Sequence, residues 1–123
     1  MRRVLIADDE LNIRNILEFS LNAEGFDVIV AENGQDAIEL ARTEAPDLII
    51  LDVMMPGLSG IDTCARLKRE SATAQIPVIL LTAKSHREDR EAGLAVGADQ
   101  YITKPFSPHT VIAAVSGLLS VAR

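Results

Sequence analysis

The sequence predicts an α/β fold of the (βα)5 kind: one doubly wound, five-stranded parallel sheet with helices on both faces. Three observations lead there. Five short apolar runs recur along the 123 residues, segments with helical periodicity separate them, and two of the runs, Leu48–Leu51 and Val78–Leu81, are continuously apolar. Continuous apolarity suits strands buried on both faces, whereas a half-exposed antiparallel sheet would alternate apolar with polar residues. Strands that alternate with helices pair in parallel through right-handed crossovers.

The elements follow in order. The first strand, Val4–Ala7, runs into Asp8 and Asp9. A helix from about Glu10 to Glu24 carries Ile13, Leu17 and Leu21 on one stripe and stops at Gly25, a residue suited to a helix end. Ile16 and Phe19 fall off that stripe and are expected to be exposed. The second strand, Val28–Ala31, ends on Glu32; the helix after Asn33-Gly34 carries Ala37, Ile38 and Ala41 until Pro46 closes it. The third strand, Leu48–Leu51, leads to Asp52. Ser59 and Asp62 then read as a capping box that opens a helix from Ile61 to about Glu70. The fourth strand, Val78–Leu81, meets Thr82, and Ser85 with Glu88 repeats the capping signature before a helix that Gly97 ends. Last comes Tyr101–Thr103, which reaches Lys104. Ser107 and Pro108 supply an N-cap and a first-turn proline for a helix bearing Val111, Ile112, Val115, Leu118 and Leu119. With neither repeat nor linker in view, a single domain over residues 1–123 is expected.

Composition narrows the function. Hydrophobic residues make up 48% of the chain, enough for an ordinary core, but aromatics only 3%, so aliphatic side chains must do the packing. A net charge of −6 disfavours nucleic acid or an anionic membrane as the direct partner. Cys64 is the only cysteine and cannot form an internal disulfide, and no paired zinc-ligand spacing is present. A cytoplasmic location follows as an expectation. Arg2-Arg3 precedes only four apolar residues, too few for a signal-peptide core, and no run approaches the length of a membrane span.

Parallel strands place their C-terminal ends along one sheet edge, where open α/β folds hold their ligands. Asp8, Asp9, Asp52, Thr82 and Lys104 would meet there. Three carboxylates balanced by one ammonium either stay partly protonated or recruit a cation. Their hard oxygens favour Mg2+, or Mn2+, over zinc. Asp52 has a further capability, since a carboxylate can accept a phosphoryl group as an aspartyl phosphate. A divalent ion on Asp9 and Asp52, the Lys104 ammonium, the Thr82 hydroxyl and backbone N–H groups after Asp52 would supply the charge neutralisation that such a transfer needs.

The stretches Val4–Glu10, Leu48–Gly60, Leu80–Ala83 and Gly97–Phe106 resemble the response-regulator receiver domains of two-component signalling, along essentially the whole chain. The resemblance implies a chemotaxis-regulator-like, flavodoxin-like fold and a phosphoacceptor that catalyses its own phosphorylation and dephosphorylation. It makes Asp52 the acceptor from a histidine kinase or a histidine phosphotransfer protein. Asp9, Asp52 and the Met54 carbonyl become Mg2+ ligands, Asp8 orients metal-bound water, and Lys104 pairs with the acyl phosphate. Thr82 and Tyr101 become the switch pair, and the Lys104–Pro105 bond is expected to be cis. Ile13, Ile16 and Phe106 are implied at the kinase-docking surface, and Met54 and Lys84 flank the phosphoryl group. Met54 cannot orient an attacking water, so a phosphate lifetime of minutes or longer is expected. The signal would pass through the face made by the fourth helix, fifth strand and fifth helix to an effector protein or output domain.

Taken alone, several of these features have plainer readings. Asp8-Asp9 fits a helix N-cap, Thr82 a strand end, and Tyr101 a packing aromatic. His86 and His109 read as solvated surface residues and Cys64 as a packed thiol. From Pro105 to Ala122 there is no formal charge, and Thr110, Ala113, Ala114, Ser116, Gly117 and Ser120 face away from the core. Receivers of many winged-helix transcription factors carry a salt-bridged dimer face on that helix, so a monomer is expected here. Three other classes share parts of the pattern. A flavodoxin-like flavin carrier would need a phosphate cradle where Asp8-Asp9 stands. An aspartyl-phosphate phosphatase would carry an acid at Met54, and a phosphorylation-independent docking module would not need the full acid set.

Overall fold

A computed structural model describes residues 2–83 and 87–121. Five strands and five helices alternate: β1 Arg3–Ala7, α1 Leu11–Ala23, β2 Asp27–Ala31, α2 Gly34–Glu44, β3 Leu48–Asp52, α3 Gly60–Arg69, β4 Val78–Ala83, α4 Arg87–Ala95, β5 Gln100–Lys104 and α5 Pro108–Val121. The strands form one parallel sheet in the order β2-β1-β3-β4-β5. Burial matches that order: β3 is buried at every position and β1 at all but Arg3, and both lie inside, whereas β2 and β5 are only partly buried and form the edges.

Alternate residues of the central strands feed two cores, one on each face. Leu5, Ile49, Leu51, Val78 and Leu80 pack with α2 and α3, and Val4, Ile6, Leu48, Ile50, Ile79 and Leu81 pack with α1 and α5. Each large aliphatic side chain fully withdrawn from water contributes about 1.5–3 kcal/mol, and this repeated burial drives the fold. Leu17 and Leu21 of α1 are buried while Ile16 and Phe19 are exposed, so the stripe read from sequence is the face that docks. Cys64 lies fully buried in the first core, and burial pushes its thiol up to about 11.

The caps follow local chemistry. The Asn33 and Ser59 side chains accept from the backbone N–H groups of Asp36 and Asp62, at 2.8 and 3.1 Å. Ser107 Oγ accepts from the Thr110 N–H at 3.2 Å; each thus satisfies a first-turn donor. Gly97, at φ +96, ends the chain's turn out of α4 in the left-handed region that glycine enters freely. The Arg2 guanidinium donates to the Leu119 carbonyl at 2.8 Å and ties the start of β1 to the end of α5. Lys84, Ser85 and His86 lie outside the described residues, and with them the capping pair of Ser85 and Glu88.

Element boundaries differ from the sequence expectation where pairing overrides local signals. The ladder to β5 continues through Thr82↔Thr103 and Ala83↔Lys104, so β4 runs two residues past Leu81 and Thr82 lies inside the strand. Likewise α1 begins at Leu11, with Glu10 as its extended N-cap residue.

Candidate functional site: an acidic pocket at the sheet edge

The chain leaves β1 toward β2 on one side and returns through β3 on the other. This reversal of winding opens a crevice beyond the C-terminal ends of β1 and β3. Asp8 and Asp52 stand there, 0% and 2% exposed. Burial of two carboxylates is costly unless partners compensate, and the compensation comes from the end of β5. Lys104 Nζ lies 3.3 Å from Asp52 Oδ2, 3.5 Å from Asp8 Oδ2 and 3.2 Å from Glu10 Oε1. Backbone donors fix the other oxygens: the Met54 N–H donates to Asp52 Oδ1 at 3.2 Å and the Glu10 N–H to Asp8 Oδ1 at 2.9 Å.

One ammonium facing three carboxylates leaves a surplus of negative charge. Desolvation, reinforced by the neighbouring Asp8, raises the Asp52 pKa to about 7 against the pull of Lys104. Burial also works against the Lys104 ammonium, but Asp52, Asp8 and Glu10 together outweigh it and hold its pKa above the ordinary lysine value. Oxygens of Asp8, Glu10 and Asp52 all lie within 4.8 Å of one another. Such a set of hard donors with uncompensated charge suits a divalent cation of the Mg2+ type.

The residues singled out in the sequence divide by location. Asp8, Asp52 and Lys104 form the centre, and Thr82, 1% exposed, lies on the adjoining strand one position beyond the Asp52↔Leu81 pair. Asp9 is exposed and borders a rim depression with Met54, Val53 and Ser59. It stands outside the three-acid cluster, and Glu10 occupies that place instead. The chain bends at Asp9, which stays exposed at the rim of the pocket, while the longer Glu10 side chain reaches back to Lys104. The adjacent acid after Asp9 was the available signal, obscured by its reading as a helix start. Met54 is 61% exposed. Tyr101 is half-buried against the first core, and the Lys104–Pro105 peptide is cis. Ile13, Ile16, Pro105 and Phe106 line an apolar groove of about 400 Å³ bordered by Glu10 and Lys104. His109 is exposed.

A doubly wound parallel sheet with buried aspartates and a lysine at its switch point defines a class, the receiver-like phosphoacceptor domains. Within that class the family is specific: a sequence model of the response regulator receiver domain matches residues 4–116, and the chain belongs to that family. It is 45% identical over 118 residues to the alkaline phosphatase synthesis transcriptional regulatory protein PhoP of Bacillus subtilis, covering 96% of this chain and 48% of that protein. It is 46% identical over 118 residues to the phosphate regulon transcriptional regulatory protein PhoB of Pseudomonas aeruginosa, covering 96% and 52%. The chain therefore spans about half the length of these relatives. The receiver domain of Francisella response regulator 1452 superposes with a TM-score of 0.92 at 35% identity, covering all of both chains. The fold is thus the flavodoxin-like fold of the chemotaxis regulators, and no helix among the described residues is long and apolar enough to cross a membrane.

Proposed function

We propose that residues 1–123 form one receiver domain that works as a phosphorylation-controlled switch, with Asp52 accepting a phosphoryl group from a histidine kinase or a histidine phosphotransfer protein. The observation that carries this reading is a buried Asp52 carboxylate held at the sheet edge with the Lys104 ammonium 3.3 Å away. In the transfer, an Asp52 oxygen forms the new O–P bond as the donor's N–P bond breaks. The bonding pair leaves on the histidine nitrogen, which takes up a proton. Lys104 favours the ionised form of the carboxylate against the opposing effects of burial and Asp8, and then faces the phosphoryl oxygens. The Thr82 hydroxyl and the backbone N–H groups after Asp52 donate to the same oxygens as charge accumulates there.

Mg2+, with Mn2+ as an alternative, fits the surplus of carboxylate oxygen. Asp52, Asp8, Asp9 and the Met54 carbonyl would hold it, with Glu10 added by the clustering of oxygens. When bound it neutralises charge on the transferring group. The domain catalyses its own phosphorylation and dephosphorylation and turns over no separate substrate. Met54 stands two residues after Asp52 and Lys84 two after Thr82 in the sequence, and Met54 offers no group to orient water, so the phosphate persists for minutes or longer.

Thr82 moves to meet the phosphate and Tyr101 shifts into the space it leaves. The surface of α4, β5 and α5 then changes its affinity for an effector protein or output domain, in the cytoplasm and without direct contact to nucleic acid or membrane. The uncharged outer side of α5, where Thr110, Ala113, Ser116, Gly117 and Ser120 are exposed, favours a monomer before phosphorylation.

Incubation with acetyl phosphate and Mg2+ tests the acceptor. One phosphoryl mass should appear on the peptide containing Asp52 and none on Asp52→Asn; a wild-type chain that gains none overturns the proposal. The kinase-docking role belongs to the groove of Ile13, Ile16 and Phe106 beside the pocket. Ile16→Asp should slow transfer from the kinase about tenfold and leave phosphorylation by acetyl phosphate unchanged. Equal slowing of both removes the docking role.

A further inference from the structure

On helix α4, Gly93 is buried against the sheet. A β-carbon built there would lie 2.5 Å from Leu80 Cδ1 and 3.2 Å from Tyr101 Cε2. Leu80 and Tyr101 are register partners on neighbouring strands, and Thr82↔Thr103 is the next pair on the same side, because side chains repeat every second residue. The Tyr101 ring therefore occupies a seat whose floor is Leu80 and whose wall is the bare backbone of Gly93. Leu80 is 0% exposed and enclosed by the core, so it has little room to give. The half-buried ring is the softer neighbour.

We propose that Gly93 is a positioning residue for Tyr101: the missing side chain on α4 sets how strongly the ring prefers its seat over Leu80 to the space beside Thr82. This inference rests on the proposed switch role of Thr82 and Tyr101. On that reading, phosphorylation draws the ring off the seat, and any side chain at position 93 weakens the starting position. The switch then needs less phosphodonor to turn.

The chain supplies its own reporter, since Tyr101 is the only tyrosine and there is no tryptophan. Its fluorescence quenching by acrylamide and its dichroism in the tyrosine band, to the long-wavelength side of phenylalanine absorption, report on this one ring. In the wild-type chain, acetyl phosphate with Mg2+ should change both signals; no change defeats the switch reading itself. In Gly93→Ala, the Tyr101 signals before phosphorylation should already lie partway toward the phosphorylated ones. The acetyl phosphate concentration at the midpoint of the change should fall about threefold or more. A purely structural role for Gly93 would lower the melting temperature without moving that midpoint. If the wild type responds and Gly93→Ala matches it in both resting signal and midpoint, the inference is overturned while the switch stands. Should Gly93→Ala fail to fold, the same measurements on Gly93→Ala/Leu80→Val decide. That variant removes the closest contact; a wild-type midpoint there overturns the proposal, as does failure of the double variant to fold.

Discussion

Two lysines of this domain are almost equally shielded, with 20% of the Lys104 side chain and 17% of the Lys68 side chain exposed, yet they sit in opposite electrostatic settings. Lys68, from the last turn of α3, donates to the Ile76 carbonyl at 2.8 Å and to Asp99 Oδ2 at 3.1 Å, and the same carboxylate oxygen accepts from the Val78 N–H at 2.8 Å. At that edge, where β4 and β5 begin, charge and hydrogen bonds are balanced. Lys104, at the edge where the strands end, faces three carboxylates and cannot neutralise them. The difference separates an ammonium that closes a structure from one that belongs to a site. A balanced ion pair leaves no affinity for a further charge, whereas an unbalanced one stores a demand for a cation or a proton.

Removing each lysine should therefore have different consequences. Lys104→Met leaves Asp52 and Asp8 buried without their counter-charge. It should lower stability at pH 7 by about 2–3 kcal/mol and reduce the rate of phosphoryl uptake from acetyl phosphate by about a hundredfold or more. Chemical denaturation and intact-mass kinetics measure the two losses. An uptake rate within tenfold of wild type would place Lys104 with Lys68 as a structural residue.

The unbalanced edge should also make stability depend on pH in an unusual direction. Asp52 titrates at about 7 in the folded chain and at about 3.9 when unfolded. Between those values the folded state holds the extra proton, so this group's contribution is complete below about pH 4 and is lost as pH rises through about 7. Without divalent metal, the wild type should lose about 2 kcal/mol or more relative to Asp52→Asn between pH 4 and pH 8. Denaturant midpoints measured in a chelating buffer check this, and parallel pH curves for the two proteins would refute it.

The smallest effect belongs to the balanced edge. Lys68→Met should cost about 1–2 kcal/mol by leaving Asp99 and the Ile76 carbonyl with fewer donors, while phosphoryl uptake stays within twofold of wild type. A larger loss of uptake would show that the two edges are coupled through β4 and β5.

Much of this domain was legible in the residues. The runs at Val4, Leu48 and Val78 announced central parallel strands because continuous apolarity has no other stable home in a chain with polar helices between them. Ser59, Asn33 and Ser107 marked helix starts because capping is a local bargain between one side chain and one N–H. Asp8, Asp52, Thr82 and Lys104 stood out because each follows an apolar run of the sequence. Glu10 was less visible: its place among the clustered acids depends on Lys104, 94 residues away in sequence. The close seat of Tyr101 beside Gly93 was hidden for the same reason, since a glycine inside a helix looks identical whether it faces water or a ring.

The sequence alone determined which elements form, in what order, and which chemically active residues stand at strand ends, because these follow from periodicity, capping and the burial of apolar runs. Only the tertiary structure decided the strand order β2-β1-β3-β4-β5, the replacement of Asp9 by Glu10 in the acidic cluster and the contact of α4 with Tyr101. These depend on distances between residues far apart in the chain, and such distances exist only once the helices have packed and one lysine has been set against three acids.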